Sequence, residues 1–253
     1  VQENMVDFWV VGCNGHIGSL LTNELIESGN RVLGIDIQPE TSMKRSGIEY
    51  KSLELGDLDN LEKQLRHLAT PRLGFVHLSG LTGDPKEIGW RGGIERQTLD
   101  LWQKTLAVNL SSAFIFAKEL SGRKSTESAG GASAFSMVFT SSIYGSVGPN
   151  PSLYPEDEMP NPAAYGVSKA GLESLARYLT TTSQGRIRAN TVVPGGILRG
   201  QTSDFIATYS ARTPLGRMGS EVDVVNLITF LLSEKSEYIA GQSLKVDGGF
   251  TAW

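Results

Sequence analysis

The sequence predicts an α/β fold, one doubly wound and mostly parallel sheet of about seven strands with helices on both faces. Three observations predict it. Short apolar runs alternate with amphipathic stretches along the whole chain, the pattern of strands joined by helical crossovers. A glycine-spaced turn stands between the first apolar run and the first amphipathic stretch. The 253 residues, 40% hydrophobic and 20% charged, hold no internal repeat and no long linker, so residues 1–253 read as a single domain.

Residues 8–11 are the first strand. Ile17, Leu20, Leu21 and Leu25 recur at helical spacing over 17–27, and Gly29 stops that helix. Residues 31–35 form a second strand that ends at Asp36, and a third lies near 50–53. A helix over 58–68, a strand over 73–78, a long helix over 102–120 and a strand over 135–140 follow. The remainder reads as a helix over 163–181, a strand over 187–193, a helix over 222–232 and a seventh strand over 242–246. Three segments carry neither period: 80–96 with five glycines, the Gly/Ser/Ala-rich 121–133, and 146–161 with four prolines beside Glu156, Asp157 and Glu158. Residues 198–217, rich in Gly, Ser and Thr, read as a mobile lid over substrate.

Composition narrows the function. The net charge is −4 and basic residues are scattered, Lys44-Arg45 being the nearest thing to a cluster, so no nucleic-acid partner is expected. Cys13 is the only cysteine, which excludes an internal disulfide framework, and three separated histidines give no metal motif. His16 reads as a solvent or capping residue, His67 as a surface residue and His77 as a core residue. No apolar run approaches the ~18 residues of a membrane span. Val1-Gln2-Glu3-Asn4 shows no basic segment followed by an apolar stretch, so the expectation is a cytoplasmic protein acting on a small molecule.

Gly12-Cys13-Asn14-Gly15-His16-Ile17-Gly18 follows the first strand and opens the first helix, where bare backbone lets a pyrophosphate approach the helix N-terminus. Cys13 is read as facing the same crevice. Asp36, 18 residues after Gly18, is placed to accept bonds from the adenosine ribose and to repel a 2′-phosphate, favouring NAD over NADP. Asp57, after the third strand, either bonds the adenine amine or caps the following helix.

Tyr165 and Lys169, at i and i+4, project from one helix face. A phenol titrates near pH 10, and a neighbouring ammonium draws it toward the working range. Ser142 ends the fifth strand, where such sheets place their ligands, and its hydroxyl can hold a substrate oxygen beside the phenol. Asn109 lies inside the long helix, where position alone makes it structural. Trp90, Trp102, Tyr144 and Tyr154 are candidates for the substrate pocket.

Taken together, the glycine turn, Asp36, Asn109, Ser142 and Tyr165/Lys169 occur in the order of the short-chain dehydrogenase/reductase family. Ile187-Arg188-Ala189-Asn190, Val193-Pro194-Gly195-Gly196, Pro214-Leu215-Gly216-Arg217 and the ending Gly241–Gly249 stretch also resemble it. The resemblance spans essentially the whole chain and implies a Rossmann-type domain with NAD as cofactor. It implies that Tyr165 exchanges a proton with the alcohol or carbonyl oxygen and that Lys169 binds the nicotinamide ribose. Ser142, preferred to Ser141 by its spacing to Gly145, would orient substrate, and Asn109 would hold a water in the proton relay. Gly12, Asn14, Gly15, His16, Ile17, Gly18, Asp36, Asp57, Leu58 and Gly80 are assigned to the cofactor with Tyr165, Lys169, Pro194, Gly195 and Ile197, the last bonding the carboxamide.

Three departures qualify the match. The glycines stand three apart, as in the family's extended, sugar-nucleotide-handling branch. His77-Leu78-Ser79-Gly80 replaces the usual Asn-Asn-Ala-Gly. The 23-residue interval from Ser142 to Tyr165 is long because of the proline-rich segment. The expected reaction is interconversion of a secondary alcohol and a ketone with NAD(H), on a sugar-like or other polar substrate. Alternatives are an NAD-dependent sugar-nucleotide epimerase or dehydratase and a non-catalytic NAD-binding sensor. The helices from Tyr165 and over 222–232 suggest oligomer faces, with a homotetramer or dimer expected from the resemblance.

Overall fold

The structure, a computed structural model, describes residues 5–39, 47–81, 90, 92–123, 134–154 and 161–253. Lys44-Arg45, Glu156, Asp157, Glu158, most of the 80–96 segment and all but the start of the 121–133 segment lie outside the described residues.

Seven strands form one sheet: β1 (Met5–Val11), β2 (Val32–Asp36), β3 (Ile48–Ser52), β4 (Thr70–His77), β5 (Phe135–Thr140), β6 (Ile187–Pro194) and β7 (Ser243–Val246). Their order is β3-β2-β1-β4-β5-β6-β7 and every pairing is parallel. The helices are α1 (His16–Glu27), α2 (Leu58–Leu65), α3 (Leu99–Leu106), α4 (Ser112–Ser121), α5 (Ala163–Thr182), α6 (Ser203–Arg212) and α7 (Glu221–Leu232). From β1 the chain builds outward to β3, then returns to β4 and builds the other way. The reversal between β1 and β4 is the switch point at which such sheets open a crevice above their carboxyl ends.

Both faces of the sheet are covered, which is why β5 and β6 are buried along their full length. On one face Leu21 and Leu25 of α1 and Val224 and Ile228 of α7 pack against Val10, Val32 and Val138. On the other, Leu61 of α2, Phe116 and Leu120 of α4 and Leu172 of α5 pack against Trp9, Phe75 and Phe139. The Trp9 indole N–H donates to the Ala69 carbonyl at 2.8 Å, and the Arg123 guanidinium lies 4.9 Å over its ring.

Three elements depart from the sequence pattern. β4 begins at Thr70, before Pro71; the proline fits because β5 pairs with β4 only from Gly74 onward. The long helix is two helices, α3 and α4, joined by a π-turn over Ala107–Ser111, and it starts at Leu99 because the Thr98 hydroxyl accepts from the Leu101 N–H. Inside the 198–217 segment, read as a mobile lid with no helix assigned to it, stands α6, capped by the Thr202 hydroxyl and fixed by the buried ring of Tyr209.

Candidate active site

Above the carboxyl ends of the strands lies a cleft of about 1530 Å³. Its floor at one end is the turn from Gly12 to Gly18. Gly12 has φ +84°, and a Cβ there would meet the Ser79 Oγ at 2.8 Å; a Cβ on Gly18 would collide with the Gly12 carbonyl oxygen. Only bare backbone fits, and α1 presents its N-terminal N–H groups above it without a side-chain cap. Asn14, Gly15, His16 and Ile17 line this part of the cleft.

Asp36, at the end of β2, lines the cleft beside the turn. Its Oδ2 accepts from the Asn14 N–H at 3.0 Å and its Oδ1 from the Ile37 N–H at 2.8 Å, which fixes the carboxylate at the edge of the glycine turn. The Asn14 amide donates to the Tyr50 hydroxyl, which donates to the Gln38 carbonyl, bracing the same corner.

At the other end, α5 carries Tyr165 and Lys169 to the end of β5. Lys169 is buried and donates to the Thr140 carbonyl at 2.8 Å, with its ammonium 5.6 Å from the centre of the Tyr165 ring. Burial pulls the Lys169 pKa down to about 8. Burial also pushes the Tyr165 phenol above its ordinary value, opposed by its hydrogen bond with Ser142 and by the charge of Arg199. The expectation that Lys169 draws the phenol toward its anion is therefore not met in this state, because desolvation dominates.

Ser142 and Ser141 have different work. The Ser142 Oγ accepts from the Tyr144 N–H at 3.2 Å and lines the cleft with Tyr165. The Ser141 hydroxyl is tied to the Lys169 carbonyl at 3.0 Å and to Glu173 at 2.8 Å, joining β5 to α5. Asn109 is fully buried in the π-turn. Its Oδ1 accepts from the Leu81 N–H at 2.7 Å, and its Nδ2 donates to the Leu81 carbonyl and to the Ser168 hydroxyl. That clasp sets the backbone after β4 beside the site: a Cβ on Gly80 would lie 3.2 Å from the Lys169 Nζ.

Pro194, Gly195 and Ile197 line the cleft wall after β6, and the Gly196 N–H donates to the Tyr209 hydroxyl at 2.6 Å. Asp57 and Leu58 do not line it. The Asp57 carboxylate caps α2 through the Asn60 N–H and Leu58 packs on the core, while Glu54 and Leu55 occupy the wall. Cys13 faces the core rather than the crevice, its Sγ against Gly34, and burial raises its thiol pKa to about 12. Trp90 and Trp102 are absent from the cleft lining; Tyr144 and Tyr154 are part of it.

Residues that the sequence reading missed are Phe205, Tyr209, Met218 and Arg199. Arg199 is held to Glu221 at 3.0 Å on the rim. Nothing in local periodicity marks these side chains, which meet the site only through the placement of α6. Among the described residues no group of His, Cys, Asp or Glu side chains has the arrangement of a metal site, and no helix is long and apolar enough to cross a membrane.

His77 ends β4 in the core. The Ser112 hydroxyl donates to the Val108 carbonyl at 2.7 Å, so it accepts from His77 Nε2 at 3.1 Å. Burial, helped by the charge of Lys169, pulls the ring pKa down from 6.5 to about 3. The unfolded chain therefore binds one more proton than the folded chain between those values, and stability falls as pH drops through that window. Urea midpoints measured from neutral pH to about pH 4 should decline, and His77→Gln should flatten the slope. Equal slopes in both proteins would refute the assignment.

The model of the family described as Enoyl-(Acyl carrier protein) reductase matches residues 58–251. Trans-4-hydroxycyclohexanecarboxylate dehydrogenase of Sinomonas cyclohexanicum is 27% identical over 94% of this chain and 85% of its own length. The cis-4-hydroxycyclohexanecarboxylate dehydrogenase of the same organism is 31% identical over 60% of this chain, and the match spans just over half of that relative, 57%. A short chain dehydrogenase from Leptospira borgpetersenii, solved with bound NAD+, superposes with a TM-score of 0.80 at 29% identity, covering 98% of this chain and 94% of that one. The chain belongs to the short-chain dehydrogenase/reductase family of nicotinamide-dependent oxidoreductases.

Proposed function

We propose that the chain interconverts a secondary alcohol and a ketone with NAD(H), using Tyr165, Ser142 and Lys169 in a single dinucleotide-binding catalytic unit. The observation that carries this reading is the convergence, in one cleft, of a bare glycine floor at a helix N-terminus with a buried tyrosine–serine–lysine group. The floor fits a pyrophosphate, since glycine at 12 and 18 lets the turn close onto itself and leaves bare backbone at the N-terminus of α1. Asp36 lines the cleft beside the glycine turn, which supports a role toward the adenosine ribose of such a cofactor. Its negative charge favours hydroxyls over a 2′-phosphate, which supports NAD over NADP.

A nicotinamide held along Pro194, Gly195 and Ile197 would supply the hydride chemistry at the carbinol carbon, and the chain's own residues would manage the oxygen and its proton. In oxidation Tyr165 takes the proton of the substrate hydroxyl, and in reduction it gives one to the carbonyl oxygen. Ser142, beside the phenol in the cleft, holds the same oxygen and orients it. Lys169, fixed by the Thr140 carbonyl, keeps a positive charge over the ring and stabilises the phenolate once formed. Asn109 positions the Gly80-Leu81 backbone against Lys169, so its influence runs through that contact. Ser152, Leu153, Tyr154 and Asn161, which stand between Ser142 and Tyr165 in the chain, line the cleft and shape access for a polar substrate.

The test is a screen of purified protein against sugars, polyols, alicyclic alcohols and hydroxy acids, following reduced-cofactor absorbance with NAD+ and with NADP+. Turnover with NAD+ in preference to NADP+ is the expected result. No turnover of any alcohol, or a preference for NADP+, would overturn the respective part of the reading.

A further inference from the structure

Beside Tyr165 the cleft wall is built from aromatic rings supplied by three separate segments. Tyr144 lies in the turn Ile143–Gly145, Tyr154 follows the turn Pro151–Leu153, and Phe205 and Tyr209 stand four residues apart on α6. The rings pack in series. Tyr154 meets Phe205 with centroids 5.6 Å apart, Phe205 meets Tyr209 at 6.0 Å, and Phe250 stacks behind Tyr209 at 4.4 Å and 10°. Arg212 donates to the Ser152 hydroxyl at 2.7 Å and so fastens the Pro151–Leu153 turn to α6.

On this aromatic surface two phenols are paired with each other. The hydroxyls of Tyr144 and Tyr154 are 2.6 Å apart. One phenolic proton is spent on that bond; the other has no acceptor among the described residues, and both oxygens keep lone pairs. Burial raises both phenols, so both remain protonated through neutral pH, and Tyr144 lies within electrostatic reach of Tyr165 and Tyr209. A purely aliphatic alcohol would cover the rings and leave the second phenolic proton of the pair without an acceptor, which is unfavourable. A ring that carries several hydroxyls satisfies both, with its C–H face on the aromatic wall and a hydroxyl on the pair.

We propose that Tyr144 and Tyr154 read a second hydroxyl on a ring-shaped, polyhydroxylated substrate while Ser142 and Tyr165 hold the reacting one, Phe205 and Tyr209 facing the ring. This rests on the reading of the chain as an alcohol dehydrogenase. Tyr144 and Tyr154 are then specificity residues, which act on substrate affinity and leave the hydride step alone.

The experiment compares cyclohexanol with myo-inositol and D-glucose in wild type, Tyr154→Phe and Tyr144→Phe, all with saturating NAD+. Wild type should favour a polyol in kcat/KM. Tyr154→Phe should lower kcat/KM for that polyol by about tenfold, the size of one hydrogen bond to a substrate hydroxyl, almost entirely through KM. Its kcat/KM for cyclohexanol and its NADH affinity should stay within about twofold of wild type. Tyr144→Phe should do the same. The proposal is overturned if wild type prefers cyclohexanol, if both substrates lose equally in the variants, or if the polyol loses nothing. Absence of turnover on any alcohol by wild type would instead bring down the dehydrogenase reading on which the proposal stands.

Discussion

Replacing Tyr165 by Phe is expected to lower kcat by about a thousandfold, within the range that one positioned acid–base group contributes. The substitution removes a single oxygen. The ring stays buried in the same packing, and what is lost locally is the bond to Ser142. NADH affinity, read by fluorescence titration, should therefore remain within about twofold of wild type, separating a chemical defect from a folding or binding defect. Burial holds the phenol above its ordinary value, so the wild-type rate of alcohol oxidation should climb with pH as the phenolate forms. Tyr165→Phe should lose that dependence in whatever activity remains. A variant that kept kcat within about tenfold of wild type would remove Tyr165 from the mechanism.

Asp36→Ala is expected to weaken NAD+ binding by about tenfold to a hundredfold, the loss of a charged acceptor for two ribose hydroxyls. NADP+ binding should improve, because the negative charge facing the 2′-phosphate is gone. Asp36 also anchors the Asn14 N–H, so the Ala variant loosens the glycine turn and costs both cofactors some affinity. Asp36→Asn keeps an oxygen acceptor for that backbone while discharging the site. It should narrow the NAD+/NADP+ affinity ratio with a smaller loss of NAD+ binding than Ala causes. Isothermal titration of both cofactors decides the matter, and an unchanged ratio in both variants would sink the role of Asp36.

Much of the site was legible in the sequence because its parts are local. Gly12, Gly15 and Gly18 lie in one strand–turn–helix unit, and Tyr165 and Lys169 share a helix face by spacing alone. Ser142 was separable from Ser141 by its distance to Gly145, and the structure gives the physical difference, since Ser141 is consumed by Glu173 and the Lys169 carbonyl. The adenine end was harder. Asp57 carries both a capping signal and a ligand signal, and the cap is what the structure contains, with Glu54 and Leu55 on the wall instead. Least legible was the substrate wall. Phe205, Tyr209 and Tyr154 meet through contacts some fifty residues apart in sequence, and the polar composition of 198–217 concealed a helix whose single buried anchor is Tyr209. Periodicity reports which side of an element is wet; it carries no information about which distant ring will touch it.

The π-turn between α3 and α4 acts as a phase shifter. Accommodating one residue beyond a regular turn rotates everything after it by about 100° around the helix axis. Ahead of the turn, Leu101 and Thr105 are the buried positions; beyond it, Ser112, Ala113, Ile115, Phe116, Ala117 and Leu120 are. The wide turn opens the backbone ladder at Asn109, which is turned inward to grip Leu81. The helix thus tolerates a change of length differently along its course. An insertion elsewhere would spin one buried stripe into solvent, whereas the turn is a place where the chain already absorbs an extra residue, and it spends that slack on holding the floor under Lys169.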